Sequence, residues 1–301
     1  MAYVLKKLGI FVLTLFGVSV LVFLAFQVIP GDPTTRMLGT TATPEKVAAL
    51  REQLGLNDQG IVRYFRWLTG FLKGDFGSSY SYNMPVNELI SGKLSITAAL
   101  SGMAFLMVLC LSIPIGILRA RFAHSIPDRI SMVFNQIIMS IPPFFIGIIF
   151  TYVFGLVLKL FTPGDFVQHS EDPSGFWGYL VFPALAIALP KSAMVVKLLR
   201  NSMVREMSED YVRTAYSRGN SRWQVLRSHV MRNAIIPVVT FLAVTLVDII
   251  AGSIIIEQVF AIPGIGRLLL TSIIGRDLPV VQTIITIISV AVITVNYIAD
   301  I

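Results

Sequence analysis

Six long apolar stretches, parted by short polar or basic interruptions, set the rhythm of the chain. They run from about Leu8 to Ile29, Leu94 to Leu118, Ile130 to Leu158, Tyr179 to Leu199, Ala234 to Ile262 and Val280 to Ile301. A helix needs roughly 20 apolar residues to cross the hydrocarbon of a bilayer, so each stretch predicts one span. The fourth is the least clean, because Lys191 and Lys197 fall in its second half. The first follows Lys6 and Lys7 as a signal peptide would. Its apolar run is too long, however, and "FQVIPGDP" offers no small-residue cleavage site, so an uncleaved first span is expected. The last reaches Ile301 with no polar tail, which suggests that the chain is cut or ends early.

The long interval between the first two spans has its own periodicity. "TPEKVAALREQLGL", Thr43 to Leu56, predicts a short helix with Thr43 as N-cap, Pro44 in the first position and Glu45 at the positive end of the dipole. Val47, Leu50 and Leu54 recur at helical spacing, and Gly55 ends the element. "IVRYFRWLTGFLKGDFG", Ile61 to Gly77, predicts an interfacial amphipathic helix carrying Tyr64, Phe65, Trp67, Leu68, Phe71 and Leu72. For both helices, a structural or membrane-surface role and a docking surface for an external partner stand as alternatives.

Composition agrees with lipid as the main solvent. Of 301 residues 55% are hydrophobic and 14% charged, with a mean hydropathy of +0.76; soluble domains average about 25% charged residues. The net charge of +7 does not indicate nucleic acid, because the basic residues sit beside apolar runs. With the N-terminus inside, the cytoplasmic pieces hold fourteen basic residues: Lys6 and Lys7, then Arg119, Arg121 and Arg129, then nine from Lys191 to Arg232. The two short outer loops hold Lys159, Arg267 and Arg276. That asymmetry predicts both termini inside. The single cysteine, Cys110, supports no disulfide framework.

The most charged segment, "RTAYSRGNSRWQVLRSHVMRNAIIP" from Arg213 to Pro237, lies between two spans. Ser202 to Ser217 predicts a helix, Arg218-Gly219-Asn220 a break at a left-handed glycine, and Ser221 a second helix. Ser221 with Gln224 fits a capping box. Val225, Leu226, His229 and Val230 make one less polar face, and Pro237 opens the fifth span. A solvated linker has no need of caps on both sides of a glycine. The alternative is a juxtamembrane helix drawn to anionic lipid by its arginines.

This arrangement resembles the EAA loop of ABC-importer permeases. The positions of Glu-Ala-Ala are occupied by Arg213, Thr214 and Ala215, ahead of Gly219, as in the branch that imports dipeptides, oligopeptides and nickel. "VIPGDP" after the first span, "GDFG" at Gly74 to Gly77 and "GSIIIEQVFAIPGIGRLL" from Gly252 to Leu269 resemble the same branch. The resemblance implies an all-α polytopic membrane protein with six spans, N-in and C-in, of the type I importer permease fold. Residues 1–93 would form the first span with a scoop-like outer region. Residues 94–301 would form a five-span core with a coupling loop at about 200–233. It implies a bacterial or archaeal cell membrane, a second homologous permease, two P-loop ATPase subunits and an extracytoplasmic binding protein. ATP and Mg would sit on the ATPase subunits, with no cofactor on this chain. ATPase coupling would fall to Tyr211, Arg213, Thr214, Ala215, Ser217, Arg218, Gly219, Asn220 and Ser221.

The sequence has no G-x-x-x-x-G-K-[ST]; "SGKLS" at Ser91 to Ser95 lacks the first glycine. His124, His169 and His229 are scattered, and no serine stands in a G-x-S-x-G context, so neither a metal centre nor a catalytic site is expected. Charges within spans are functional candidates. Asp248 reads either as a pathway carboxylate or as a charge paired inside the bundle. Glu257, nine residues on, reads as structural, bonded to the backbone of the "IPGIG" turn, or as part of the pathway. Pro142 and Pro143 in the third span, with Pro183 and Pro190 in the fourth, interrupt helical bonding and either hinge the bundle or shape a cavity. An ion-driven secondary transporter and a non-transporting membrane scaffold or enzyme are the readings from other classes. The spans carry no evident repeat and one central carboxylate, against the first. Peptide and nickel cargo both remain open.

Overall fold

The computed structural model describes residues 2–28, 34, 38, 43–53 and 57–299. Among these the regular structure is helical; the one isolated β-bridge joins Ser78 and Pro85. Five helices are long and apolar enough to cross a membrane, or six where a bent pair counts as one span. The chain divides into two compact units. One comprises residues 1–96 with 264–297 and 301, the other 97–263 with 298–300.

In the first unit, α1 (Ala2–Val28) is the opening span and α2 (Pro44–Gln53) the predicted short helix, with proline first and the Val47 N–H bonded to the Thr43 carbonyl at 3.1 Å. Leu54 and the terminating Gly55 lie outside the described residues, as does most of "VIPGDP". The aromatic helix α3 runs from Gly60 to Lys73, shorter than the predicted Ile61–Gly77, because Gly74 adopts φ 81° and closes it. Its aromatic face packs on α1. The Tyr64 hydroxyl meets Ser19 Oγ at 2.8 Å, and the Phe23 ring lies 5.3 Å from Tyr64 and 5.8 Å from Trp67. Ile61, Phe65 and Leu72 face outward. "GDFG" is thus a helix stop followed by a turn in which Asp75 Oδ1 accepts the Gly77 N–H at 3.0 Å. The short α4 (Val86–Ile90), α13 (Ile265–Ile274) and the last span, α14 (Leu278–Ala299), complete this unit.

In the second unit, α5 (Lys93–Arg121), of which residues 97–121 belong here, is a straight-through span. The predicted third span is not one helix. It splits into α6 (Ile126–Ser140) and α7 (Pro143–Phe150), the latter continued by a π-helical turn Thr151–Val157, with a bend of 93° between the halves. Each of two successive prolines restricts the residue before it to extended backbone. Ile141 at φ −88°, ψ 123° and Pro142 at φ −61°, ψ 142° obey, and the helix cannot pass. Pro183 and Pro190 act differently: both are buried within α8 (Pro173–Glu206), which runs through them for 34 residues. At 1.5 Å per residue that helix is roughly 50 Å long, well beyond the hydrocarbon thickness of about 30 Å. Asp172 caps it; hydrogen bonds from the Ser174 hydroxyl and the Gly175 and Ser174 N–H groups hold this exposed carboxyl below its ordinary range. The remaining elements are α9 (Asp210–Ser217), α10 (Arg222–Gln224), a π-helical turn Val225–Val230, α11 (Met231–Ala234) and the fifth span α12 (Ile236–Val259).

Candidate functional site

The segment around Gly219 holds a definite shape. The expected helix from Ser202 to Ser217 is broken: α8 ends at Glu206 and α9 starts at Asp210. Tyr211 bridges the break, donating its hydroxyl to Glu206 Oε2 at 2.8 Å. Burial, and then the Glu206 carboxylate, push this phenol above its ordinary range against a smaller opposing hydrogen bond from Asn233.

At its far end α9 stops as a glycine-terminated helix should. Gly219 takes φ 82°, its N–H bonds the Tyr216 carbonyl at 2.9 Å and the Asn220 N–H reaches the Ala215 carbonyl at 3.4 Å, the paired bonds of a Schellman motif. Asn220 Nδ2 donates to the same Ala215 carbonyl at 3.0 Å. A Cβ at Gly219 would meet nothing within 4 Å, so the backbone conformation, not crowding, demands glycine here.

The next helix starts one residue later. Ser221 Oγ accepts the Gln224 N–H at 3.4 Å, and Gln224 Oε1 accepts the Ser221 N–H at 2.9 Å, completing the capping box. Arg222 Nη2 then donates to the Arg121 carbonyl at 2.6 Å, and the Arg121 guanidinium lies 5.6 Å from the Trp223 ring centre. The turn is therefore fastened to the basic end of α5.

Of the predicted coupling residues, Arg213, Thr214, Ser217, Arg218, Gly219 and Ser221 are exposed and Asn220 is half-buried. Ala215 is buried at 4% with Val212, and sets shape rather than presenting a contact. Val225, Leu226 and Val230 form the inner face, but His229, expected with them, is exposed, because the π-helical register from Val225 to Val230 turns it out. Two exposed aromatics that sequence reading passed over, Tyr216 and Trp223, flank the turn.

Beneath the turn lies a charge cluster that the sequence did not announce. Asp128 is 2% exposed. Its Oδ2 accepts Arg200 Nη2 at 2.5 Å and the His124 N–H at 3.1 Å, and its Oδ1 accepts Arg200 Nε at 3.3 Å and Arg119 Nε at 3.4 Å. Arg119 and Arg200 were counted above as cytoplasmic loop charges; they are buried, 8% and 7% exposed, and tie α5, α6 and α8 together.

Lys191 needs the same correction. It sits inside α8 and donates to Asp248 Oδ2 of α12 at 2.7 Å. Asp248 is thus paired within the bundle, and it is still half exposed. Glu257 is fully buried and accepts the Thr97 hydroxyl at 2.5 Å. Thr97 and Arg119 stand 22 residues apart on α5, roughly 33 Å by helical rise, so the two buried carboxylates mark opposite ends of this unit. Beside Glu257, Tyr179 donates to the Phe260 carbonyl at 2.5 Å, holding the turn after α12, where Ala261 adopts φ 55°. In the first unit, Asp277, also missed, is fully buried and takes the N–H of Tyr80 at 3.0 Å, the N–H of Ser81 at 3.1 Å and the Ser79 hydroxyl. Among the described residues no group of three or more His, Cys, Asp or Glu could hold a metal ion.

Residues 112–301 match the family described as binding-protein-dependent transport system inner membrane component, and residues 1–101 match the corresponding N-terminal membrane component. The chain is 32% identical over 298 residues, 99% of its length and 95% of the relative's, to the probable peptide ABC transporter permease protein y4tP of Sinorhizobium fredii (strain NBRC 101917 / NGR234). It is 33% identical over 300 residues, 100% of its length and 96% of the relative's, to a putative peptide transport system permease protein of Brucella abortus (strain 2308). It is 35% identical over 299 residues, 99% of its length and 95% of the relative's, to the glutathione transport system permease protein GsiC of Salmonella paratyphi A (strain ATCC 9150 / SARB42).

Proposed function

This chain belongs to the family of inner membrane components of binding-protein-dependent transport systems, and we propose that it imports peptides as one permease half of an ATP-driven complex. Within that complex a second homologous permease supplies the other half of the pathway. Two P-loop ATPase subunits lie on the cytoplasmic side, where both ends of this chain also lie. An extracytoplasmic protein delivers the cargo. ATP and Mg bind the ATPase subunits. The proposed membrane is the cell membrane of a bacterium or archaeon. Residues 1–93 supply the first span and outer region, and residues 94–301 the core. Relatives named for peptide and glutathione transport over nearly their whole length support the cargo class.

The observation that carries ATP coupling is the exposed turn at Gly219, capped on both sides and fastened to α5. Its rigidity suits it to pass a rigid-body movement between an ATPase cleft and the spans. Arg213, Thr214, Ser217, Arg218 and Ser221 form its contact surface, while Tyr211, Ala215, Gly219 and Asn220 set its shape.

Gly219→Val puts a β-branched residue at φ 82°, a strain of about 1–3 kcal/mol confined to the turn. We expect the variant to insert and to lose peptide uptake, whereas Gly219→Asn, which tolerates this backbone, keeps most of it. Uptake and membrane abundance measured in cells carrying the complete importer decide the matter. Normal uptake by the valine variant would sink the coupling role.

A further inference from the structure

Asp248 lies twelve residues into α12, roughly 18 Å along its axis, so it sits at mid-span. There its side chain is 51% exposed, while its partner Lys191 is 17% exposed. A charge facing lipid at that depth is expensive. Thr240, Val244, Asp248, Ala251, Ile255 and Gln258 are exposed and form one stripe along α12, at intervals of three and four; Ile236 and Val239, near the start of the helix, are exposed too. Three of those six stripe positions, Thr240, Asp248 and Gln258, are polar or charged on a helix that is otherwise mostly apolar, a pattern that lipid contact alone does not select.

We infer that this stripe borders the water-filled pathway, and that Lys191 and Asp248 form a two-pole site for zwitterionic cargo. The inference rests on the peptide reading given above. An unblocked peptide carries an ammonium and a carboxylate. Entering, it offers Asp248 the first and Lys191 the second, so two new pairs replace the one that opens. A cargo with one charge leaves one pole unpaired in a poorly solvated place, which is costly. When the cargo leaves, the poles rejoin across 2.7 Å. Because the pair competes with every bound cargo, the site stays weak, as passage requires.

The test uses the complete importer, reconstituted with its binding protein saturated by peptide, and reads peptide moved per ATP hydrolysed. The neutral double variant Lys191→Gln with Asp248→Asn keeps a polar contact between α8 and α12. It is expected to assemble and hydrolyse ATP but to move at least about tenfold less peptide per ATP, the equivalent of one modest contact. Normal peptide movement by this variant overturns the inference alone. Failure of the variant to assemble with the second permease overturns it too, by making the pair a subunit contact. An unsubstituted complex that moves no peptide removes the peptide reading, and the inference with it. A second measurement leaves the pair intact: Ala251→Cys, in a chain with Cys110→Ser, places a thiol on the same stripe. A water-soluble thiol reagent should label it, and peptide in transit should protect it; absence of labelling overturns the inference.

Discussion

Asp128 and Asp248 are both carboxylates on helices, and each is held by a basic side chain of α8. Asp128 is sealed: two guanidiniums and a backbone N–H surround it, and no face meets solvent. Asp248 has one ammonium partner and an open side. The first arrangement cannot exchange partners without exposing an unpaired buried charge, so it fastens three helices. The second can exchange. Charge within a bundle does not itself distinguish a fastening from a site; the count of partners and the exposure do.

Three variants probe this contrast. The largest effect is expected at Arg200. Arg200→Ala leaves Asp128 with Arg119 at 3.4 Å and the His124 N–H, a loss of about 3–5 kcal/mol typical of a broken buried pair. Thermal unfolding of the purified complex would show it as a sharply lower midpoint, and an unchanged midpoint would break the comparison at its firm end. Thr97→Val is intermediate. It removes one donor from the buried Glu257 and should cost about 1–3 kcal/mol, read in the same assay. Smallest is the neutral variant of Lys191 and Asp248, whose unfolding should stay within about 1 kcal/mol of the parent. A loss as large as that of Arg200→Ala would make this pair a fastening as well.

Much of this was legible in the sequence. The spans, the stop at Gly219, the capping box of Ser221 and Gln224 and the proline opening α12 are local signals, each decided within a turn or two of chain. Prolines were legible only in part. Pro142 and Pro143 break a span because each constrains its predecessor, whereas Pro183 and Pro190 are absorbed by the well-packed α8. Glu257 and Asp248 stood out as charges within a span, but the partners of the buried charges, and the Asp128 cluster as a whole, were not legible. Arg119 and Arg200 looked like loop cations because nothing local distinguishes a paired arginine from a solvated one. Asp128 and Arg200 are 72 positions apart, and Lys191 and Asp248 are 57 apart. The π-helical register that exposes His229 has no periodic signature over six residues.

Asp277 carries a consequence for how the chain is made. The Ser79 hydroxyl and the Tyr80 and Ser81 N–H groups donate to a carboxylate 198 positions further on than Ser79. Membrane proteins emerge from synthesis N-terminus first, so the Tyr80 and Ser81 N–H groups wait for their final acceptor until synthesis has reached Asp277. Closing so long a loop adds little entropic cost beyond that of a shorter one, but it fixes the order of events. The second span is threaded long before the segment leading into it can take its finished form.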